Sequence, residues 1–236
     1  AMKLWRKELE SAISDPAEIE KLTPDYRIGC KRILSSNDWY PALARDNVDV
    51  ISQAVRSIDG DRIIAADGSE TQADILIWGT GFHVTDMVER LDITGSDGQT
   101  LRNAWAEGMQ ANLGTAIAGF PNFFILLGPH TGLGHNSVVL MIEAQVGHIG
   151  RVLDGMQSQG MEVVVPDPAR QAAFTKEMQD RHTDSVWQVG GCSSWYQDAE
   201  GRNTTLWPGT VAEFQKRMAQ SGLEQYAPVP AAGSEV

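Results

Sequence analysis

Cations are scarce in this chain: 19 Lys and Arg stand against 31 Asp and Glu, which leaves a formal charge of -12 and a pI near 4.8. Without a basic face to neutralise phosphates, nucleic acid and anionic membrane surfaces are excluded as partners. Long apolar runs are missing too. None approaches the roughly 20 residues that a spanning helix needs, and no secretory leader pattern opens the sequence. Cysteine is almost absent: Cys30 and Cys192 are the only two in 236 residues. Neither has CxxC spacing, which predicts a reducing, cytoplasmic setting with no disulfide framework, a single bridge between the two remaining open. The five histidines show neither HxH nor HExxH spacing, and the loop shared by His130 and His135 holds no carboxylate, so no metal site is expected. A GxSxG elbow is also lacking. Ser137 beside His135 and Asp86 therefore reads as a helix cap rather than a hydrolase nucleophile.

What is present suits one domain or two small ones, able to bury about 70% of the unfolded-chain surface. The richest stretch is Gly119–Gln145, GFPNFFILLGPHTGLGHNSVVLMIEAQ. Phe123–Leu127 reads as a short buried strand between Pro121 and Gly128-Pro129, followed by a glycine loop. Asn136 or Ser137 can cap a helix that starts at Val138 and, from the spacing of its apolar residues, runs to about Gly155 or a little beyond. A strand, a glycine loop and a helix N-terminus together offer free N–H groups and a positive dipole end to an electron-rich ligand.

Elsewhere, Met2–Leu22 reads as helical with a break at Ser14-Asp15-Pro16. Val48–Ile58, Arg62–Ala66 and Ala73–Trp78 read as a β-meander turned at Asp59-Gly60 and Asp67-Gly68. Met161–Val165 predicts a brief strand, Asp167-Pro168 the start of a helix burying Phe174, Met178 and His182, and Val211–Met218 a terminal helix, with a loose tail over Ala227–Val236. The class is α/β, or α+β. The expected divisions are 1–46, 47–165 (meander, strand and long helix), 166–226 and 227–236.

Four segments carry a resemblance, in order along the chain. GCKRILSSNDWYPALARDNVDV (29–50), DILIWGTGF (74–82), GFPNFFILLGPHTGLGHNS (119–137) and CSSWYQDAEGRNTTLWPG (192–209) resemble motifs in the C-terminal part of class B flavoprotein monooxygenases, the Baeyer–Villiger and flavin-containing monooxygenases. The resemblance implies FAD and NADPH as cofactors, and insertion of oxygen into a ketone or oxygenation of a heteroatom by the full-length enzyme. It implies that Arg32 is catalytic and supports the oxygenated flavin, and that Lys31 meets the 2′-phosphate of NADPH. Trp195 would hold the nicotinamide cofactor. Thr80, Gly81, Gly128, Pro129, Thr131, Gly132, Asn136 and Ser137 would cradle the flavin. A permanently charged guanidinium suits a developing anion, and a point cation suits a phosphate.

The family's GxGxxG turns and its FxGxxxHxxxW signature do not occur in these residues. The chain alone is therefore expected to lack a hold on the ADP half of FAD and to be inactive by itself. Its expected partner is the missing N-terminal half, or a second copy through the exposed interface. The alternative is a non-catalytic remnant that serves self-association or protein interaction.

Overall fold

The computed structural model describes residues 2–81 and 91–228. Phe82, which ends the second motif, and Asp86 fall outside that range, as does the tail beyond Pro228. The described chain divides into two units, residues 2–28 with 34–81, and residues 29–33 with 91–228.

In the first unit the predicted break is a cap. α1 (Met2–Ala12) ends before Asp15, whose side chain accepts from Ala17 N at 2.9 Å and starts α2 (Pro16–Lys21) with proline in its first turn. Leu9 is the buried residue of α1, and Ile13, just past its end, is buried too. Trp5 Nε1 donates to the Tyr40 hydroxyl at 2.6 Å, fastening α1 to α3 (Trp39–Leu43). The meander is β1 (Val55–Asp59), β2 (Arg62–Ala65) and β3 (Glu70–Gln72), antiparallel in that order. Its turns are the two Asp-Gly pairs, with Gly60 and Gly68 in the left-handed region at φ 62° and 86°.

The third strand is not the one expected. Asp67 accepts from Ser69 N at 2.9 Å and closes so tight a turn that Glu70–Gln72 already pairs with β2. The expected last strand, Ala73–Trp78, lies outside any strand among the described residues, with Ile75 79% and Ile77 88% exposed.

The second unit is built on α5 (Val138–Gln159), 22 residues long, started by Ser137 accepting from Val139 N and stopped by Gly160 at φ 65°. Met141, Gln145, His148, Val152 and Met156 line its buried side. α6 (Pro168–His182), capped by Asp167, and α8 (Val211–Ala219), capped by Thr210, close the main core, where Phe174, Met178, Phe214 and Met218 surround Met141 and Trp207. α4 (Leu101–Ala104) covers a smaller core with Trp105 and Phe120. β4 (Val164–Pro166) pairs antiparallel with β5 (Tyr226–Pro228), so the first two residues of the expected loose tail are held in a ladder.

One further expectation needs correction, and one alternative left open is decided. Phe123–Leu127 makes a single bridge, Phe124 to Ala116, and its last two residues are exposed. The positive φ of Asn122 and Leu127 bends the backbone out of a ladder at both ends, so the run is buried only in part. Cys30 and Cys192 are bonded to each other, with Cα atoms 6.1 Å apart. Their separation of 162 residues gave no spacing signal, but the fold brings Gly29–Ile33 into the second unit beside Cys192.

Candidate functional site

The glycine loop after Phe123–Leu127 is held by backbone-to-backbone packing. A Cβ on Gly128 would lie 2.5 Å from the Gly114 carbonyl oxygen, and one on Gly114 would lie 2.6 Å from that of Pro129 and 2.2 Å from Thr131 Cγ2. Both positions must be glycine, and Gly114 also has φ 62°. Gln145 locks the two loops from α5. Its Oε1 accepts from Leu127 N at 3.0 Å, while Nε2 donates to Gly114 O at 2.9 Å and Thr115 Oγ1 at 3.0 Å. Thr131 Oγ1 closes the turn onto Gly128 O at 2.7 Å.

The other side of the loop is paired with the fourth motif. His130 N donates to Thr204 O, Gly132 N to Thr205 O and Trp207 N to Gly132 O, all within 3.0 Å. Asn203 Oδ1 accepts from Leu206 N at 2.9 Å and holds that segment in place. His130, fully buried at φ 61°, packs its ring 6.1 Å from that of His182. Burial, with the nearby His182, brings its pKa down to about 4, so it is neutral at pH 7.

The site residues expected from sequence therefore have distinct placements. Gly128, Pro129 and Thr131 are buried in the frame of the loop, Gly132 is half-buried, and Asn136 and Ser137 are exposed at the α5 N-terminus. Asn136 Oδ1 accepts from Ser137 N and Ser137 Oγ from Val139 N, leaving the helix end open to solvent. Lys31 and Arg32 are exposed, and Arg32 makes no ion pair among the described residues. Trp195 is exposed and packs at a tilt against the buried Tyr196, with ring centroids 5.3 Å apart. Thr80 and Gly81 belong to the first unit, where Gly81 has φ 88° and open space around it.

One short helix that the sequence did not announce gathers three of the motifs. α7 (Val186–Val189) sets Val186 where a Cβ on Gly29 would meet it at 3.5 Å, and Trp187 where one on Gly134 would meet it at 3.4 Å. The next residue, Gly190, packs on Cys30, and the bridge from Cys30 leads to Cys192, three residues before Trp195. The Lys31-Arg32 turn, the end of the glycine loop and the Trp195 loop thus share one support. Gln145, Gly114 and α7 escaped sequence reading; the apolar spacing of α5 does mark position 145 as inward-facing, and a glutamine there was the available signal.

The N–H groups of His130, Thr131 and Gly132 are spent on internal bonds, so the donors left to solvent are the N-terminus of α5 and the Arg32 guanidinium, which has no ion-pair partner among the described residues.

No family model matches the chain. A Baeyer–Villiger monooxygenase of Streptomyces coelicolor is 47% identical over 230 residues, 96% of this chain and 44% of that protein. One from Pseudomonas aeruginosa is 42% identical over 224 residues, 93% of the chain and 42% of the protein. Among solved structures, a steroid monooxygenase bound to NADP superposes with a TM-score of 0.83 at 28% identity, covering 96% of this chain and 44% of that one. OTEMO in complex with FAD and NADP superposes at 0.81 with 29% identity, over 91% and 41%. The chain spans less than half the length of these relatives, and with its four motifs in order it belongs to the class B flavoprotein monooxygenases as a C-terminal portion of that family's sequence.

Proposed function

We propose that this chain supplies the flavin- and nicotinamide-facing portion of an FAD- and NADPH-dependent oxygenase that acts on a ketone or a soft heteroatom. The observation that carries the reading is the shared seating of three motifs, distant in sequence, on α7 and the Cys30–Cys192 bridge. Bound flavin, reduced by NADPH, would supply the oxygen-transfer chemistry. The chain's own contribution is positional and electrostatic. The Gly128–Gly132 backbone, held by Thr204 and Thr205 on one side and packed on the Gly114 loop that Gln145 fixes on the other, does not have to reorganise, and the N-terminus of α5 adds a positive dipole end. Arg32 supplies a charge that cannot be lost to a developing anion, Lys31 a point cation for a phosphate, and Trp195 a flat apolar face.

Exposed apolar surface supports a partner that completes the site. In the first unit it is Ile75–Trp78; in the second, Leu126 and Leu127, and Val139, Val146 and Leu153 at seven-residue intervals on α5. We read its occupant as the remaining portion of a full-length protein rather than a second copy. No helix among the described residues is long and apolar enough to cross a membrane, and we read the protein as cytoplasmic.

The test joins this chain to the N-terminal portion of the Streptomyces coelicolor relative. The joined protein is expected to carry flavin through gel filtration and to consume NADPH when a ketone is added, whereas this chain alone elutes colourless. Arg32→Ala in the joined protein should keep the flavin and lose about 100-fold in ketone-dependent turnover. A folded joined protein without flavin, or an Arg32→Ala variant with unchanged turnover, would overturn the reading.

A further inference from the structure

We propose that Cys30 and Cys192 form a redox-responsive pair, with low-molecular-weight thiols and disulfides as its co-reactants, that clamps the Trp195 loop to the Lys31-Arg32 turn when oxidised and releases it when reduced. The functional meaning of the clamp rests on the reading above, but the clamp itself does not.

The loop has little else to hold it. Gly191–Trp195 donate no backbone hydrogen bond within the described residues, and Gly191 turns the chain at φ 82°. Downstream, Tyr196 is anchored in the interior; upstream, α7 ends at Gly190. Between these two anchors the bridge is the covalent tie, and it reaches across to the residue immediately before Lys31.

The surroundings of the pair fix a direction of attack. Cys30 is fully buried, whereas Cys192 is half-buried. Cys30 sits under Gly190, where a Cβ would lie 2.7 Å from its Sγ and 2.2 Å from the Val186 carbonyl oxygen. An external thiolate therefore reaches Cys192 Sγ. It forms a mixed disulfide there and expels Cys30 as a thiolate, which takes a proton. A second external thiolate then frees Cys192, so two electrons pass to the protein and one external disulfide is made. Oxidation by glutathione disulfide runs in reverse. Cys192 is captured first, Cys30 attacks its sulfur, and two glutathione thiols leave.

A single sample of the whole chain, cycled between glutathione disulfide and dithiothreitol, tests the proposal by thiol titration and amide hydrogen exchange. After glutathione disulfide the native protein should show no titratable thiol, and after dithiothreitol both of its cysteines. Exchange across residues 191–197 should rise at least about tenfold on reduction and fall again on reoxidation, while α5 and α8 stay protected. Cys192→Ser should exchange as fast as the reduced parent and ignore dithiothreitol. The proposal is overturned if both thiols stay free in glutathione disulfide, or if exchange in 191–197 does not change on reduction. It also fails if Cys192→Ser keeps the oxidised parent's protection. Should the serine variant not fold, the reversible cycle of the parent decides alone. None of these readouts needs cofactor, so a failed clamp leaves the proposed function standing, and a failure to use NADPH leaves the clamp standing.

Discussion

Replacing Gln145 with leucine tests what holds the glycine loop in place. The side chain is fully buried and makes three good hydrogen bonds, to Leu127 N, Gly114 O and Thr115 Oγ1. Leucine nearly matches its volume, so the packing term is small. Thr115 keeps its bond to Leu113 O at 3.0 Å, which leaves the Leu127 amide and the Gly114 carbonyl stranded, while Ile125 O loses only a long contact of 3.4 Å. Each buried orphan costs about 1–3 kcal/mol, partly offset by no longer burying the amide, for a net loss of about 2–4 kcal/mol. With a urea slope of about 2 kcal/mol/M, the midpoint of unfolding should fall by about 1–2 M. Gln145→Glu is the control, because it keeps an acceptor for Leu127 N but turns a second oxygen toward Gly114 O; it should do no better than leucine. A leucine variant within about 0.3 M of the parent would mean that the Gly114–Gly128 contact holds the loop without the amide.

Gly114→Ala should destabilise by at least about 3 kcal/mol, seen as a lower melting temperature, because the methyl meets backbone at 2.6 Å and the residue sits at positive φ; an unchanged melting temperature would show that the loops separate at little cost. Stability should fall as pH drops from 7 toward 4. The pKa values of His130, His148 and His182 are all lowered in the fold, chiefly by burial, so below about 6.5 the unfolded chain binds protons that the native chain refuses. His130 alone, from 6.5 to about 4, contributes on the order of 3 kcal/mol, and melting curves that are flat between pH 7 and 5 would contradict this. Ile75→Ser with Ile77→Ser should leave the chain's own unfolding free energy within about 0.5 kcal/mol of the parent, because both side chains are exposed, yet should weaken flavin retention in the protein joined to the relative's N-terminal portion. Equal retention would remove Ile75–Trp78 from the interface.

Helices were the most legible part of the fold because their signals are local. Asp15, Ser137, Asp167 and Thr210 each cap the helix that follows, and the apolar spacing from Val138 onward gave α5 its start and most of its length. The meander's two Asp-Gly turns were equally plain. What failed was pairing that depends on something other than hydrophobicity. Glu70–Gln72 is polar and exposed, yet it takes the place beside β2, because turn geometry rather than side-chain character sets hairpin register. The site was legible as residue types and illegible as support. Nothing in VWQV announces a helix on which Gly29 and Gly134 both rest, since four residues carry too little periodicity to register.

The same distinction explains the misplaced strand. Ile75–Trp78 has the composition of a buried strand and is among the most exposed apolar runs in the chain, while Leu126 and Leu127 end a second run of that kind. A strand read from hydrophobicity is a statement about burial, and burial requires a neighbour. Both runs stand open among the described residues, and the chain covers less than half of its relatives, so hydrophobicity marked the need for a neighbour without naming where that neighbour lies. The same reasoning fits the long helix, whose inward side is closed by α8 while Val139, Val146 and Leu153 remain uncovered on the other. The loops held by Gln145 are fixed from within, and under the proposed function the exposed apolar residues beside them are the side left for the joined portion, so the Gln145 variant and the joined protein probe the inner and outer support of the same loop.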